Sequence, residues 1–277
     1  MSYKFSILIP TWNNLPYLKI CIDSIRKNSR FPHQVIVYVN EGADGTRDWL
    51  EKENIEFIYS PENVGICIAL NQSFAKSKAD YIVYVNDDMY CCPEWDLHLW
   101  NEIERIGHAK FFLSSTMIEP VETANPCVLA PYDFGRTADT FREHDLLKQL
   151  PALGFPDWYG STWPPNIVHR SLWEKVGGLS EEFSPGMYSD PDFSMKLWHE
   201  NVRYYKGIGK SMVYHFMSKS TGKVKRNDGR KQFLKKWGVS SSDFTKKILH
   251  SGELFKGELP DQVIRPTLKD KLKKLFS

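Results

Sequence analysis

The chain has 277 residues, 42% of them hydrophobic, so it can bury a substantial core in one large domain or two. Its 36 Lys and Arg nearly balance 34 Asp and Glu, which gives no bulk electrostatic case for a nucleic-acid partner. No apolar run approaches the roughly 18 residues of a membrane helix, and residues 1–9 lack the features of a signal peptide. These features predict a soluble cytoplasmic protein.

The cysteines indicate reduced thiols. There are five of them, an odd number, and they lack the paired spacing of a zinc site. They are Cys21, Cys67, Cys91, Cys92 and Cys127.

Strands and helices alternate over the first 85 residues. Apolar runs predict strands at residues 5–10, 35–39, 55–59 and 81–85. Helical periodicity predicts helices at 15–29 and 47–53, and a third through Leu70 and Phe74 to Lys78. The first strand is expected to end at Pro10, which cannot donate to a β-ladder. Such alternation predicts a parallel sheet with helices on both faces and ligands beyond the carboxyl ends of the strands, where four polar turns converge.

The fourth strand runs directly into Asn86, Asp87 and Asp88. Adjacent carboxylates repel each other unless a cation lies beside them, which favours a divalent metal with oxygen ligands. Asn-Asp is also ordinary turn chemistry, so a solvated turn is the alternative.

Two common nucleotide-binding motifs are missing from the sequence. No dinucleotide-type glycine pattern follows the first strand, and no Gly-Lys-Ser/Thr phosphate loop occurs. These absences argue against an NAD enzyme and a P-loop NTPase.

The second half predicts further elements around an irregular segment. We expect helices at 95–106, 171–176 and 194–200, and strands at 111–117, 166–170, 202–205 and 212–214. Residues 119–160 are rich in Pro, Gly, Asp and Thr and are interpreted as a variable insertion with no assigned chemistry.

Four motifs in this order resemble those of family-two glycosyltransferases with the GT-A fold. They are residues 9–13, the turn at 40–46, residues 62–71 and residues 86–88. The resemblance implies a Rossmann-like, mostly parallel sheet flanked by helices, with an acceptor-side extension and a helical C-terminal tail. It implies a GT-A domain at 1–217, divided into a nucleotide-sugar half (1–118) and an acceptor half (119–217), and a basic tail at 218–277.

The resemblance implies that the first two turns hold the nucleotide. It assigns Pro10, Thr11 and Trp12 to the base, with Trp12 offering a ring face for stacking and the carboxylate of Glu41 or Asp44 accepting from the base. A half-buried aromatic with a packing role is the alternative for Trp12. A small pyrimidine with a ring N–H suits these residues, so UDP is the favoured nucleotide.

The acidic turn after the fourth strand is similarly interpreted. The resemblance places Asn86 in the nucleotide-sugar site, Asp87 at the ribose or a bridging water, and Asp88 on the diphosphate-bound metal. Asn63 and Asn71 are expected at the ribose or the sugar. Either asparagine could instead cap a helix.

A second acidic cluster follows Gly177-Gly178-Leu179, a sequence typical of the family. Asp190 matches the position of the general base, and Asp192 and Trp163 are candidates for acceptor or donor contacts. Ser189 stands where the family usually has Glu. Asp190 before Pro191 could also cap a helix.

His215, at the end of the last predicted strand, matches a metal-ligating histidine of the family. The resemblance makes it a partner of Asp88, although a lone histidine is more often structural. A carboxylate with an imidazole suits Mn²⁺ or Mg²⁺, with a preference for manganese.

The tail after residue 218 is basic. Its Lys219–Arg226 stretch predicts either a solvated surface or a lid over the diphosphate. Arg265–Ser277 has the pattern of a short basic amphipathic helix, which could rest on an anionic membrane or pack on a partner. Peripheral membrane contact at the inner face is therefore a hypothesis.

Together these features predict an inverting, metal-dependent transferase that moves a hexose from a nucleotide-diphosphate sugar to a glycan or lipid-linked glycan hydroxyl. Two alternatives are a non-catalytic nucleotide-sugar-binding subunit of a glycan-assembly complex and a sugar-phosphate nucleotidyltransferase. The second would require a glycine-rich basic loop where Thr11-Trp12-Asn13 stands.

Overall fold

The computed structural model describes residues 3–218, 227–267 and 270. The strands are β1 (Ser6–Trp12), β2 (Gln34–Asn40), β3 (Glu56–Ser60), β4 (Tyr81–Tyr84), β5 (Met89–Cys91), β6 (Phe111–Ile118), β7 (Val128–Leu129), β8 (Trp158–Tyr159), β9 (Asn166–His169) and β10 (Tyr204–His215). The α-helices are α1 (Leu15–Asn28), α2 (Thr46–Lys52), α3 (Gly65–Phe74), α4 (Trp95–Ile106), α5 (Glu143–Gln149), α6 (Arg170–Val176), α7 (Ser189–His199), α8 (Gly229–Trp237) and α9 (Ser241–Asp243). Short 3-10 turns lie at Ala138–Thr140, Leu150–Ala152 and Glu181–Phe183, and a π-helical turn at Phe244–Ile248.

The described strands form one sheet in the order β3-β2-β1-β4-β9-β6-β10-β5, with β7 beside β6 and β8 beside β10. Strands β1 to β4 are parallel, as predicted from their alternation with helices. Strand β9 runs antiparallel between β4 and β6, and β10 is parallel to β6. The sheet is therefore mostly parallel, and the two halves of the chain share it.

Helices cover both faces of the sheet because side chains alternate along the buried strands. In β1, Ile7 and Ile9 pack in a core with apolar residues of α1 and α4, whereas Leu8 packs in the opposite core with α3, α6 and α7. None of the described helices is long and apolar enough to cross a membrane.

The edge formed by the carboxyl ends of the parallel strands positions the site. Strands β1, β2, β3, β4, β6 and β10 all end there, and the antiparallel β9 begins there at Asn166. Seven elements thus deliver polar residues to one edge, as expected for a ligand site in such a sheet.

The prediction that Pro10 ends the first strand is wrong, since β1 continues through Thr11 to Trp12. The backbone N–H of Val85 donates to Leu8 O, so the backbone polar groups of Leu8 point towards β4. Pro10 is two residues further on, so its backbone nitrogen points to the same side. The β1–β4 pairing stops at Leu8. Pro10 is tolerated because no strand there requires its missing N–H.

Two boundaries in the acceptor half also differ from the prediction. The strands expected at 202–205 and 212–214 are one strand, β10, with an irregularity in its pairing to β6 between Ile208 and Met212. Helix α7 begins at Ser189 rather than 194, so Asp190 lies within its first turn and does not cap it.

The segment 119–160 packs into a third hydrophobic cluster that it shares with β5, β6 and β10. It contributes β7, β8 and α5, and Phe134, Leu146 and Leu153 pack with Tyr214 of β10. The segment is therefore an ordered part of the fold.

Candidate active site

A cavity of about 550 Å³ opens at the carboxyl-end edge of the sheet. Elements from both halves of the chain line it, and ten predicted site residues are among them: Pro10, Thr11, Trp12, Asn63, Asn86, Asp87, Asp88, Trp163, Asp190 and His215. Four other predicted residues, Glu41, Asp44, Asn71 and Asp192, do not line it.

Asp87 is held by two side chains of the first turn. Thr11 Oγ1 donates to Asp87 Oδ2 at 2.7 Å, and Asn14 Nδ2 donates to Oδ1 at 3.0 Å. Burial and the neighbouring charge of Asp88 nevertheless raise the pKa of Asp87 to about 7. The two adjacent carboxylates therefore repel each other in this cavity, as their sequence predicts.

Asp88 pairs with His215 across the cavity. Asp88 Oδ2 lies 3.5 Å from His215 Nε2 and accepts a hydrogen bond of 2.8 Å from the Ser218 backbone N–H. Burial would raise the pKa of Asp88, but His215 and Ser218 outweigh it and hold that pKa below its ordinary value. The ionised carboxylate is thus the stable form at neutral pH.

Glu119 lies on the other side of the His215 ring. Its Oε1 is 2.9 Å from His215 Nδ1. Burial alone would lower the pKa of His215, but Asp88 and Glu119 raise it to about 10. Sequence analysis missed Glu119 by assigning no chemistry to residues 119–160. A signal was present, because Glu119 lies two residues after the predicted strand 111–117, close to the sheet edge where the other polar turns were expected.

Asp190 is the one carboxylate of the cavity that lacks a partner among the described residues. No described side chain or N–H hydrogen-bonds to it, and burial raises its pKa to about 7. The Oγ of Ser189, which replaces the family's usual Glu, donates to Gly186 O at 2.6 Å and is buried. The carboxylate of Asp190 is therefore able to accept a proton near neutral pH.

The second turn is tied to the first by its own polar groups. Asn13 Nδ2 donates to Glu41 Oε2 at 3.0 Å, and Asp44 Oδ2 accepts from the Leu15 N–H that opens α1 at 2.8 Å. Asp44 Oδ1 also accepts from Thr46 at the start of α2. Asp44 thus accepts the first backbone N–H of two helices, α1 and α2. The half-buried Trp12 lines the cavity, and its indole N–H has no partner among the described residues.

Asn63 and Asn71 have different roles at α3. Asn63 Oδ1 accepts from the Gly65 N–H at 2.9 Å, so Asn63 satisfies the first N–H of α3, whose N-cap is Val64, and it also lines the cavity. Asn71 exchanges two hydrogen bonds of 2.9 Å with the backbone N–H and C=O of Leu179. A Cβ at Gly178 would lie 2.3 Å from Asn71 Oδ1. Asn71 therefore joins the two halves of the chain instead of facing the predicted ribose site.

We expect Asn71→Ala to lower the free energy of unfolding by about 1–3 kcal/mol, because it leaves both Leu179 backbone groups without their partner. Gly178→Ala should also destabilise, since its Cβ collides with Asn71. Urea unfolding checks both, with Asn101→Ala on the exposed face of α4 as the neutral control. An Asn71→Ala midpoint equal to that of the wild type would contradict the role assigned to Asn71.

Asp192 is a structural residue in the described part of the chain. It is fully buried, accepts from Ser180 Oγ at 2.6 Å and from Trp237 Nε1 at 2.7 Å, and lies 3.0 Å from Lys236 Nζ. These partners attach α8 to α7. Asp192 does not line the cavity, so nothing in this geometry supports its expected contact with donor or acceptor.

The spacing of Asp88 and His215 is compatible with one divalent cation once His215 has given up its Nε2 proton. Two ligand atoms of one octahedral ion lie about 3 Å apart when each metal–ligand distance is about 2.1 Å, and the two atoms here are separated by 3.5 Å. Among the described residues no cluster of three or more His, Cys, Asp or Glu side chains could hold a metal. A cation held by these two side chains would have its remaining positions open to substrate and water, as is usual for Mg²⁺ at phosphates.

Two predictions concern parts of the chain outside the described residues. The suggested lid, Lys219–Arg226, lies there entirely. The suggested amphipathic helix at 265–277 lies there except for residues 265–267 and 270.

The comparisons with known proteins agree on one family. Residues 6–145 match glycosyl transferase family 2. Over 172 residues the chain is 28% identical to a Bacillus subtilis (strain 168) protein provisionally assigned as the teichuronic acid biosynthesis glycosyltransferase TuaG, covering 60% of this chain and 67% of that protein.

Solved structures of TarS from S. aureus share the fold. TarS 1–349 aligns with a TM-score of 0.55 at 19% identity, over 76% of this chain and 60% of that one. A longer TarS structure gives 0.55 at 20% identity, and only 36% of it is covered. TarS 1–349 has been solved with UDP and with UDP-GlcNAc. On its sequence match and its fold, the chain belongs to glycosyl transferase family 2 and is a glycosyltransferase with the GT-A architecture.

Proposed function

We propose that this glycosyltransferase moves a sugar, with inversion at the anomeric carbon, from a nucleotide-diphosphate sugar to a hydroxyl of a glycan or lipid-linked glycan. UDP is the favoured nucleotide, and a divalent cation assists its departure. One observation supports the proposal above all others: a single cavity contains the Asp88–His215 pair and the unpartnered carboxylate of Asp190.

The nucleotide end of the proposed site is the part of the cavity at the ends of β1 and β2. Trp12 and Pro10 offer apolar surface for a base, and Asn63 offers its amide N–H to the ribose or the sugar. Glu41 keeps one carboxylate oxygen that Asn13 does not use, and it could accept from a pyrimidine N–H. The UDP and UDP-GlcNAc complexes of TarS, which shares the fold, support this choice of donor.

The charge of the cavity supports a role for a cation. Four carboxylates line it, those of Asp87, Asp88, Glu119 and Asp190; His215 is the one basic side chain among the described lining residues, none of which is Lys or Arg. A diphosphate would be repelled by these groups unless positive charge accompanied it. Mn²⁺ or Mg²⁺, held by Asp88 and His215, would neutralise the charge that develops on the leaving diphosphate.

Asp190 is proposed as the general base. The acceptor oxygen forms its bond to the anomeric carbon as the bond from that carbon to the diphosphate oxygen breaks. The acceptor proton passes to the Asp190 carboxylate, and the nucleoside diphosphate leaves with the bonding electrons. The absence of any described hydrogen-bond donor to Asp190 leaves its oxygens free for this proton.

The pH dependence of catalysis follows from the same group. A general base must be ionised, and burial raises the pKa of Asp190 to about 7. We expect kcat/KM to be constant above this pH and to fall about tenfold for each pH unit below it, down to the acid limit of stability. An acid limb with an apparent pKa near 4 would contradict the assignment.

A thermal-shift panel tests the proposed donor. UDP, GDP, dTDP and CDP sugars are each added with Mn²⁺ or with EDTA, because a ligand that binds only the native state raises Tm. We expect one nucleotide, UDP, to raise Tm in a metal-dependent way. If no nucleotide shifts Tm under any metal condition, the donor-site proposal fails.

The non-catalytic nucleotide-sugar-binding subunit considered from the sequence rests only on Ser189, which replaces a Glu that is usual in the family, and the match to a glycosyltransferase family favours the enzyme. Such a subunit would give the same thermal shift but would neither transfer nor hydrolyse the donor. Turnover by the wild type therefore distinguishes the two functions.

A further inference from the structure

We propose that Glu119 is a positioning residue for the cation site, because it fixes the tautomer and the orientation of the His215 ring. This inference rests on the proposed function, in which Asp88 and His215 hold the cation. It assigns a task to the segment that begins the acceptor half, to which sequence analysis assigned no chemistry.

The sheet brings Glu119 and His215 together. Strands β6 and β10 are parallel neighbours, and Ile118 pairs with Tyr214 at the end of their register. Glu119 follows Ile118 at the end of β6, and His215 follows Tyr214 in β10, so the two residues are neighbours. Glu119 Oε1 lies 2.9 Å from His215 Nδ1. The backbone pairing of two buried strands therefore places the two side chains next to each other.

The hydrogen bond decides which ring nitrogen can bind a cation. A carboxylate oxygen only accepts, so Nδ1 carries the hydrogen and donates it to Glu119. When the ring is neutral, its lone pair is then on Nε2, which is the atom 3.5 Å from Asp88 Oδ2. A carboxylate or carbonyl that accepts from the non-ligating nitrogen is the usual support of a metal-binding histidine.

Glu119 is itself held firmly. Its backbone N–H donates to Leu129 O at 3.0 Å, and its C=O accepts from the Tyr132 N–H at 2.9 Å. Its side chain is 7% exposed, and Thr123 Oγ1 lies 3.4 Å from the second carboxylate oxygen. The loop from 119 to 132 therefore closes around Glu119 and keeps its carboxylate directed at the His215 ring.

The test measures cation affinity. Mn²⁺ is titrated against the 277-residue protein with saturating UDP, and free Mn²⁺ is followed by electron paramagnetic resonance. Glu119→Ala is expected to weaken Mn²⁺ binding about 10–100-fold, the usual cost of removing such a partner. Glu119→Gln retains an acceptor oxygen for Nδ1 and should lose much less. The control is Glu122→Gln, which removes the same charge from an exposed position of the same loop and should match the wild type.

A second readout separates positioning from general destabilisation. An imidazole ligand favours Mn²⁺ over Mg²⁺, so Glu119→Ala should reduce the ratio of the two affinities towards that of His215→Ala. A protein that is merely less stable would lose affinity for both ions in equal proportion. Thermal unfolding without ligand checks that each variant is folded.

The outcomes distinguish this inference from the proposed function. If the wild type shows no metal-dependent UDP binding, the proposed function fails and the inference falls with it. If the wild type binds and His215→Ala is impaired, but Glu119→Ala binds Mn²⁺ like the wild type, only the inference is overturned. Loss of binding in Glu119→Gln as severe as in Asp88→Ala would also overturn it, because Glu119 would then be a direct ligand.

Discussion

An Asp190→Asn variant is expected to lose sugar transfer by about 100- to 10,000-fold while it still binds the donor nucleotide. The amide cannot take the acceptor proton, yet it has nearly the same shape as the carboxylate. The loss is measured as the steady-state rate of sugar transfer, or as the rate of donor hydrolysis with water as the acceptor. Calorimetric titration of UDP with Mn²⁺ measures the binding.

The stability of the variant provides a check on its fold. Burial raises the pKa of Asp190 to about 7, and no described group compensates its charge. The ionised form therefore opposes folding above that pH, and Tm of Asp190→Asn at pH 8 should equal or exceed that of the wild type. Glu181→Gln, at an exposed position of the same half, is the matched control and should be fully active. Unchanged turnover in Asp190→Asn would remove Asp190 from the mechanism.

Asp88→Asn is expected to lose the metal dependence of nucleotide binding and to reduce kcat/KM at least about 100-fold, since metal stabilisation of a leaving group is worth several kcal/mol. The amide can still accept the hydrogen bond that the Ser218 N–H donates to Asp88 Oδ2, so the local structure is retained. The variant lacks only the charge that would attract a cation. UDP affinity is measured with Mn²⁺ and with EDTA.

The matched control for Asp88 is Asp80→Asn. Asp80 immediately precedes the opposite end of β4 and is exposed, so its loss removes one carboxylate without altering the cavity. If Asp88→Asn matched the wild type in UDP affinity both with Mn²⁺ and with EDTA, its metal dependence would be unchanged. The cation would then lie elsewhere.

Sequence reasoning succeeded where the required information is local. The four strands of the first half and the helices between them follow from hydrophobic periodicity, and the position of the polar turns at one edge follows from the parallel arrangement. The convergence of Thr11, Asp87 and Asp88 on one cavity was predicted in this way.

Sequence reasoning failed where the role of a residue depends on a partner far away in the chain. Glu119 and His215 are 96 residues apart and meet only because β6 and β10 pair. Asn71 could have faced a ribose, but its partner is the backbone of Leu179, 108 residues away. Asp192 likewise acquires its structural role from Trp237 of α8. No local pattern in the sequence specifies these contacts.

The same limit explains the boundary errors. A proline normally ends a strand. Pro10 is accommodated within β1 only because the pairing of β1 with β4 stops at Leu8. The pattern of the last strand is interrupted by Gly207 and Gly209, which read as a break between two strands. Trp158 packs so closely on Gly207 that a Cβ there would lie 1.8 Å from its ring, which explains the small residue within a continuous β10.

The most direct test of the account is to locate the cation. Crystals grown with UDP and Mn²⁺ are measured at the manganese absorption edge, where anomalous scattering identifies the ion. We predict one strong peak within about 2.5 Å of both Asp88 Oδ2 and His215 Nε2, in contact with the diphosphate of a UDP whose base lies beside Trp12. A UDP molecule bound in another cavity, or bound in this one with the manganese peak away from Asp88 and His215, would contradict it.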